Sequence, residues 1–281
     1  MDLHVLKREA SLAIGLVILL LGSMTIATGS YPPMVVVESG SMMHDNEHGS
    51  VGAIDPGDLV LVMSPDRHDI ITFAEATEPG GEHEGYETHG MPGDVIIFRK
   101  NGGSDTPVIH RALLQAIANP NGGWDVPGTD VVGAESGFVE LEYDCFHGNS
   151  KLKIDLSIIT HEGYITTGDN RWSNGCQYDQ QSLTDENGEL VTAIKDEWIM
   201  GVASLEIPWV GAVKLYASGT AGQVTGNTWG NLAVLVAIII SAPVIIEMIT
   251  DRLMITDRLT STDEDEESND VEAAEAASEE E

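Results

Sequence analysis

Two long apolar runs constrain this chain more than any other feature. The first, ASLAIGLVILLLGSMTIATG at residues 10–29, carries no charged side chain. At 1.5 Å per residue, a helix of this length reaches about 30 Å, the thickness of a bilayer hydrocarbon core. Lys7 and Arg8 precede the run and indicate a cytoplasmic N-terminus. We expect an uncleaved membrane anchor at residues 1–30; the alternative is a cleavable signal peptide whose cut falls in IATGS.

The second run, WGNLAVLVAIIISAPVIIEMIT, occupies residues 229–250. It contains Pro243, which membrane helices tolerate, and it starts at Trp229, a residue type that favours the membrane interface. We predict a transmembrane helix at residues 229–250. The alternative is a core helix of the soluble domain. A helix that packs against a core on one side normally carries a polar face on the other, and this run lacks one.

Basic residues also flank the second run, because Arg252 and Arg258 follow it. Both predicted helices then have their basic flanks on the same side, which indicates that both termini are cytoplasmic. Residues 31–228 are expected to form an extracytoplasmic domain of an integral cell-membrane protein. Residues 251–281 are expected to form a disordered acidic tail in the cytoplasm.

Acidic residues outnumber basic residues by 46 to 13, giving a net charge of −33. This charge excludes nucleic-acid binding, which requires a basic surface. The tail from Asp263 onward holds only eleven of the acidic residues, so the other 35 are dispersed through the chain. Such a surface predicts a halophilic protein that works in high salt, where ions screen its self-repulsion. An ordinary acidic surface is the alternative.

The region between the apolar runs has the pattern of a β-rich domain. PGDLVLVMSP at 56–65 and PGDVIIFRKN at 92–101 each join a Pro-Gly turn signal to a β-branched apolar run. Further strand-like segments are residues 108–117, 138–143, 152–159, 163–168 and 198–207. Polar stretches at 66–92, 118–137 and 171–195 indicate loops or insertions, and no helical period is visible in this region. The predicted fold class is a mostly β domain flanked by two transmembrane α-helices.

A serine turn follows the short apolar run at residues 35–37. Gly40 lets the backbone turn sharply between Ser39 and Ser41. A serine on such a turn is exposed, and its own N–H can face a reacting carbonyl oxygen. Serine is a weak nucleophile without a nearby base, however, and Ser-Gly-Ser is most often simply a loop.

Candidates for the base and its partner occur further along the chain. His110 lies at the end of an apolar run in PVIHRA, and a satisfied structural histidine is the alternative. Asp169 and Asp179 lie in GYITTGDNRWSNGCQYDQ at 163–180, where an Asp-Asn pair often forms a turn. Each residue alone is weak evidence of catalysis, but the order Ser, His, Asp is informative.

Five motifs occur in an order that resembles a known family. They are SGSM, PGDVIIFRK, VIHRA, TTGDN and EIPWVGAV, and together they cover residues 35–213. The chain resembles type I signal peptidases of the archaeal and endoplasmic-reticulum branch, in which histidine replaces the lysine of the bacterial branch. The resemblance implies the family's β-fold and a membrane-bound serine endopeptidase that removes signal peptides from exported preproteins.

The resemblance also assigns roles to the candidate residues. Ser41 matches the nucleophile, and His110 matches the general base that passes the proton to the leaving amine. Asp179 corresponds to the aspartate that orients the histidine, and Asp169 to a supporting aspartate. The spacing between the two is longer than the family pattern because of RWSNGCQY, so the assignment between them stays open.

The resemblance further implies how the substrate binds. A signal peptide would lie extended and add a strand beside the substrate-binding residues, which are Val35, Val36, Val37 and Ser39. The implied preference is for small side chains at the first and third positions before the cut. Ser39 is a candidate second oxyanion donor. The expected partners are signal peptides, the lipid bilayer and the secretion channel, with no cofactor and no metal.

Other functions remain open from the sequence. One alternative is a non-enzymatic, membrane-anchored β-domain that binds a protein partner. Another is a self-cleaving repressor fold with a Ser-Lys pair, for which Lys100 is the candidate lysine. Cys145 and Cys176 form either one disulfide or two buried thiols.

Overall fold

The computed structural model describes residues 3–45, 47–143, 151–174 and 177–250. Cys145 and Cys176, for which the sequence leaves both a disulfide and two buried thiols open, and the predicted tail at 251–281 lie outside the described residues. The chain divides into two units, residues 1–229 and residues 230–281. The first contains the sheet domain, and the described part of the second is helical.

Two helices are long and apolar enough to cross a membrane. Helix α1 is Leu3–Thr28, and a second long helix occupies Gly226–Thr250. Their mean hydropathies are 2.3 and 2.7. Side chains in both are highly exposed, for example Leu19 at 68% and Ile240 at 70%. Length, composition and exposure are compatible with membrane helices and oppose a buried core helix.

The segment between the two helices is a mostly antiparallel β domain, as expected. Its strands are β1 Met34–Val36, β2 Leu59–Met63, β3 Glu87–Thr88, β4 Met91–Pro92, β5 Val95–Phe98, β6 Val108–Ala118, β7 Trp124–Asp125, β8 Phe138–Leu141, β9 Leu152–Asp155, β10 Gly163–Thr167 and β11 Ile199–Ile207. Short 3-10 turns occur at Pro65–Arg67, Lys100–Gly102, Leu156–Ile158, Asp179–Gln181, Asp196–Trp198 and Ala221–Gln223.

The main sheet has the order β1-β2-β11-β5-β6-β10, with β7 paired to the end of β6. Strand β1 lies at one edge, and its pairing in the described residues is with β2 alone. In the β5–β6 pair, His110 lies opposite Ile96 and Arg111 opposite Val95. Because successive side chains of a strand point to opposite faces, the side chains of His110 and Arg111 lie on opposite faces of the sheet.

Buried apolar side chains form a cluster directly beneath the serine turn. Val60 of β2, Val95 of β5 and Ala203 of β11 contribute to it from the sheet, and Val37 and Met42 contribute from either side of the turn. The cluster consists of Val37, Met42, Ile54, Val60, Val95 and Ala203. The turn is therefore attached to the core on both sides.

The expectation that the β region lacks helices is wrong at two places. Helix α2, Phe73–Thr77, lies in the predicted loop 66–92, and helix α3, Ala212–Ser218, follows β11. A capping box starts α2: the Thr72 side chain accepts from the Glu75 N–H, and the Glu75 side chain accepts from the Thr72 N–H. This Thr-x-x-Glu signal was visible in the sequence, but five residues are too few to show a helical period. The second long helix, Gly226–Thr250, is numbered α4.

Candidate active site

A cleft of about 720 Å³ brings together the residues of the serine turn and the predicted base. Its walls come from β1 and the turn after it, from β5, from the start of β6 and the residues before it, and from three later segments of the chain. Its apolar lining residues are Val35, Val36, Val37, Ile97, Pro107, Val108, Ile109, Leu183 and Met200, and its polar ones are Glu38, Ser39, Ser41, Thr106, His110 and Gln223. The cleft thus combines apolar walls with a few convergent polar groups, which is typical of binding sites.

Ser41 is half-buried in this cleft, and Ser39 is exposed beside it. Their hydroxyl oxygens lie 3.4 Å apart. No hydrogen bond joins Ser41 Oγ to His110 within the described part of the chain. Catalytic hydrogen bonds are often long in a site without substrate and tighten when substrate binds.

The chain leaves the serine turn directly into the core. Met42 and Met43 are only 1% and 4% exposed. Burial of one methionine side chain stabilises the fold by about 2 kcal/mol. The methionines therefore hold the residue before them, Ser41, at a fixed place on the surface of the core.

Residues after β10 hold the serine turn from the other side. The Asn170 side chain donates from Nδ2 to the Gly40 carbonyl at 2.6 Å, and the Asn170 N–H donates to the Ser41 carbonyl at 2.8 Å. The backbone at Gly168 passes close to the serine turn and to the histidine ring. A Cβ on Gly168 would lie 2.5 Å from the Ser41 carbonyl oxygen and 3.1 Å from His110 Nε2. The Ser41 backbone and the His110 ring therefore flank the same point, and only glycine fits between them.

The structure pairs His110 with Asp179. His110 Nδ1 lies 2.7 Å from Asp179 Oδ2, and Thr166 Oγ1 donates to the same oxygen at 2.6 Å. When Nδ1–H donates a hydrogen bond to the carboxylate, Nε2 is the acceptor of the neutral ring, and no hydrogen bond engages it among the described residues. Burial lowers the pKa of His110, but the charge of Asp179 and its hydrogen bond outweigh burial and raise that pKa above its ordinary value.

Asp169 has a different partner. Arg111 donates to it from Nε at 2.8 Å and from Nη2 at 2.5 Å, and both side chains are fully buried. Burial alone would raise the pKa of Asp169, but the Arg111 guanidinium, together with the contact from His44 at 3.4 Å, lowers it to about 2. Arg111 Nη1 also donates to the Gly93 carbonyl at 2.6 Å, at the end of the insertion at 66–92. Asp169 and Arg111 therefore tie the insertion to the strand that carries His110.

Lys100, the alternative base, is engaged elsewhere. Its Nζ lies 2.6 Å from Asp105 Oδ2 and donates to the Thr184 carbonyl at 2.9 Å. It is not among the residues that line the cleft. Over the described ranges, His, Cys, Asp and Glu side chains form no group of three or more that could hold a metal ion.

Four residues of the site were given no role by sequence reasoning. Thr166, Gly168 and Asn170 belong to TTGDN, so the motif marked their position without showing what they contact. Gln223 had no local signal, yet its Oε1 accepts the Gly40 N–H at 2.9 Å across 183 positions of sequence.

The assembled group has the parts of an acyl-transfer site: a hydroxyl in a cleft, a histidine with a free nitrogen acceptor, and a carboxylate behind the histidine. No protein-family model matches the chain, and no curated protein matches it.

Proposed function

We propose that this protein is a membrane-anchored serine endopeptidase of the type I signal-peptidase kind, which cleaves N-terminal signal peptides from exported preproteins. The observation that carries the proposal is the 2.7 Å contact between His110 and Asp179 at the cleft that contains Ser41. A role in proton transfer accounts for a cleft-lining histidine that is held by a carboxylate, whereas binding alone does not require this arrangement.

The chemistry follows from these positions. Ser41 Oγ attacks the scissile carbonyl and gives its proton to His110 Nε2, while Asp179 stabilises the imidazolium. The C–N bond then breaks, and the leaving amine takes the proton from His110. His110 Nε2 then takes a proton from water, the resulting hydroxide attacks the acyl ester, and the proton passes to Ser41 Oγ as the C–O bond breaks, which releases the carboxylic acid.

The Ser41 N–H is the first candidate donor for the oxyanion. In the described part of the chain it has no hydrogen-bond acceptor, whereas the neighbouring Gly40 N–H is already bonded to Gln223. Ser39 Oγ, 3.4 Å from Ser41 Oγ, is a second candidate. A donor aimed at the developing charge typically contributes about 3 kcal/mol to transition-state stabilisation.

The edge position of β1 suggests how a peptide enters. An edge strand offers unpaired N–H and C=O groups, so an extended peptide can add a strand beside residues 35–37. The apolar walls formed by Ile97, Ile109 and Met200 then contact its side chains. We propose small side chains at the first and third positions before the cut.

Membrane attachment follows from the two apolar helices. In this proposal α1 and α4 span the cell membrane, both termini are cytoplasmic, and the secretion channel is a neighbour. Arg67 Nη1 donates to the Ile26 and Ala27 carbonyls at 2.6 and 3.0 Å, which satisfies the last turn of α1 and joins it to the β domain. The site then stays near the bilayer surface, where a signal peptide emerges.

The test is cleavage of a preprotein by the purified full-length protein in detergent at high salt. Mass spectrometry of the product identifies the cut. We expect one cut at the end of the signal peptide, after a small residue. Ser204, an exposed serine of β11, provides a matched control, and Ser204→Ala should cleave at the wild-type rate. Absence of cleavage by the wild-type protein, with specific binding of a folded partner, would favour the non-enzymatic alternative.

A further inference from the structure

We propose that Gln223 contacts the bound peptide, donating from its side-chain Nε2 to a main-chain carbonyl of the substrate while its Oε1 holds the serine turn. This inference rests on the proposed peptidase function. It adds to the site a residue from the segment that leads into α4, far in sequence from the Ser-His-Asp group.

The orientation of the Gln223 amide is fixed by its partner. The Gly40 backbone N–H can only donate, so the atom facing it at 2.9 Å must be the side-chain oxygen. Gln223 also lines the cleft together with Ser39 and Ser41. The amide therefore bridges the serine turn and the space that a peptide would occupy.

The Nε2 group is left with two N–H donors. Throughout the described ranges no protein acceptor bonds to it, and Gln223 is exposed at the cleft. An extended peptide brings one carbonyl per residue, and each carbonyl that loses water on binding needs a donor. In this proposal Nε2 supplies one of these donors from the wall of the cleft.

The backbone that carries Gln223 is well anchored. Before it, α3 buries Ala212 and Leu215 completely and ends at Gly219, whose positive φ of 76° allows the chain to reverse. After it, Thr225 Oγ1 donates to the His48 carbonyl at 3.3 Å, and Thr228 is only 3% exposed. The backbone between these two anchors therefore loses little further conformational freedom when substrate binds.

The experiment compares Gln223→Glu with Asn227→Glu. Glutamate keeps an oxygen for the Gly40 N–H but removes the Nε2 donors, and Asn227 is an exposed amide four residues later, in the first turn of α4. We expect Gln223→Glu to lower kcat/KM for the preprotein by about tenfold, the worth of one hydrogen bond to substrate. Asn227→Glu should leave kcat/KM unchanged. The loss should persist at high salt, where a merely electrostatic effect of the new charge is screened.

A binding measurement separates this inference from the proposed function. In a Ser41→Ala background, the Kd of a synthetic signal peptide should rise about tenfold when Gln223→Glu is added. Wild-type kcat/KM in Gln223→Glu, with cleavage abolished in Ser41→Ala, would overturn the role of Gln223 alone. Undiminished cleavage by Ser41→Ala would instead overturn the peptidase function.

Discussion

His110 Nδ1 and Asp179 Oδ2 lie 2.7 Å apart, so of the two candidate aspartates Asp179 is the one that contacts the histidine ring. Asp169 is committed to Arg111 by two hydrogen bonds in a fully buried pair. The two carboxylates thus have separate partners: Asp179 contacts the histidine, and Asp169 is buried against Arg111.

Replacing Asp179 by asparagine should change both the rate and its pH dependence. We expect kcat to fall by about a hundredfold or more, because the imidazolium loses its stabilising charge. The same loss lowers the pKa of His110, which Asp179 holds above its ordinary value. His110 must be neutral to accept a proton, so the acid limb of the pH–rate profile should move to lower pH. An unshifted limb in Asp179→Asn would contradict this pairing.

Asp169→Asn should act on stability. The folded-state pKa of Asp169 is about 2, below its ordinary value of 3.8, so the ion pair stabilises the fold above about pH 4 and is lost as pH falls toward 2. Leaving Arg111 buried without its partner should lower the free energy of unfolding at pH 7 by about 3 kcal/mol. Urea unfolding of the full-length protein in detergent measures this loss. The acid limb of the pH–rate profile should stay in place, and a shift as large as that of Asp179→Asn would argue against a structural role.

Gly168→Ala tests the close approach of the serine turn. The new methyl group would lie 2.5 Å from the Ser41 carbonyl oxygen, so the turn or the His110 ring has to move. Misplacement of about 1 Å in a catalytic group can lower the rate by roughly a hundredfold, and we expect a loss of that order in kcat. Gly226 has no atom within 4 Å of an added Cβ, and Gly226→Ala is the matched control. Equal rates for the two variants would show that the contact does not matter.

Asp55 should be a source of instability at neutral and higher pH. Burial, followed by the charges of Asp58 and Glu206, raises its pKa to about 7 despite a hydrogen bond from the Ser50 N–H. A raised carboxyl pKa costs stability as pH rises from about 4 through 7. Asp55→Asn should therefore increase the free energy of unfolding at pH 8 by about 2 kcal/mol, allowing for solvent screening, with no gain at pH 4. A gain of equal size at both pH values would exclude titration of Asp55 as its cause.

The strands could be predicted from the sequence because β-branched runs and turn residues are local signals. Residues 108–117 predicted β6 within one residue of its observed end at Ala118. The motifs likewise placed Ser41 and His110 in a shared site, and the structure brings both to one cleft. Helix α2 was missed although its capping box was present, because a single turn of helix shows no period.

The partners of these residues could not be predicted in the same way. His110 and Arg111 are neighbours in sequence, but the alternation of the strand sends them to opposite faces and hence to different aspartates. Nothing local distinguishes Asp169 from Asp179, since the choice depends on long-range contacts: Arg111, which holds Asp169, also donates to main-chain carbonyls of the turn at 88–93. The contact from Gln223 to Gly40 spans 183 positions and has no local pattern.

The central claim is that Ser41 cuts signal peptides with His110 as its base. The most direct measurement is the initial rate of preprotein cleavage by Ser41→Ala beside the wild-type protein, at equal concentration and high salt. We predict that cleavage falls to the uncatalysed background in Ser41→Ala while the variant keeps the wild-type unfolding midpoint. Cleavage by a folded Ser41→Ala protein at the wild-type rate would contradict the claim.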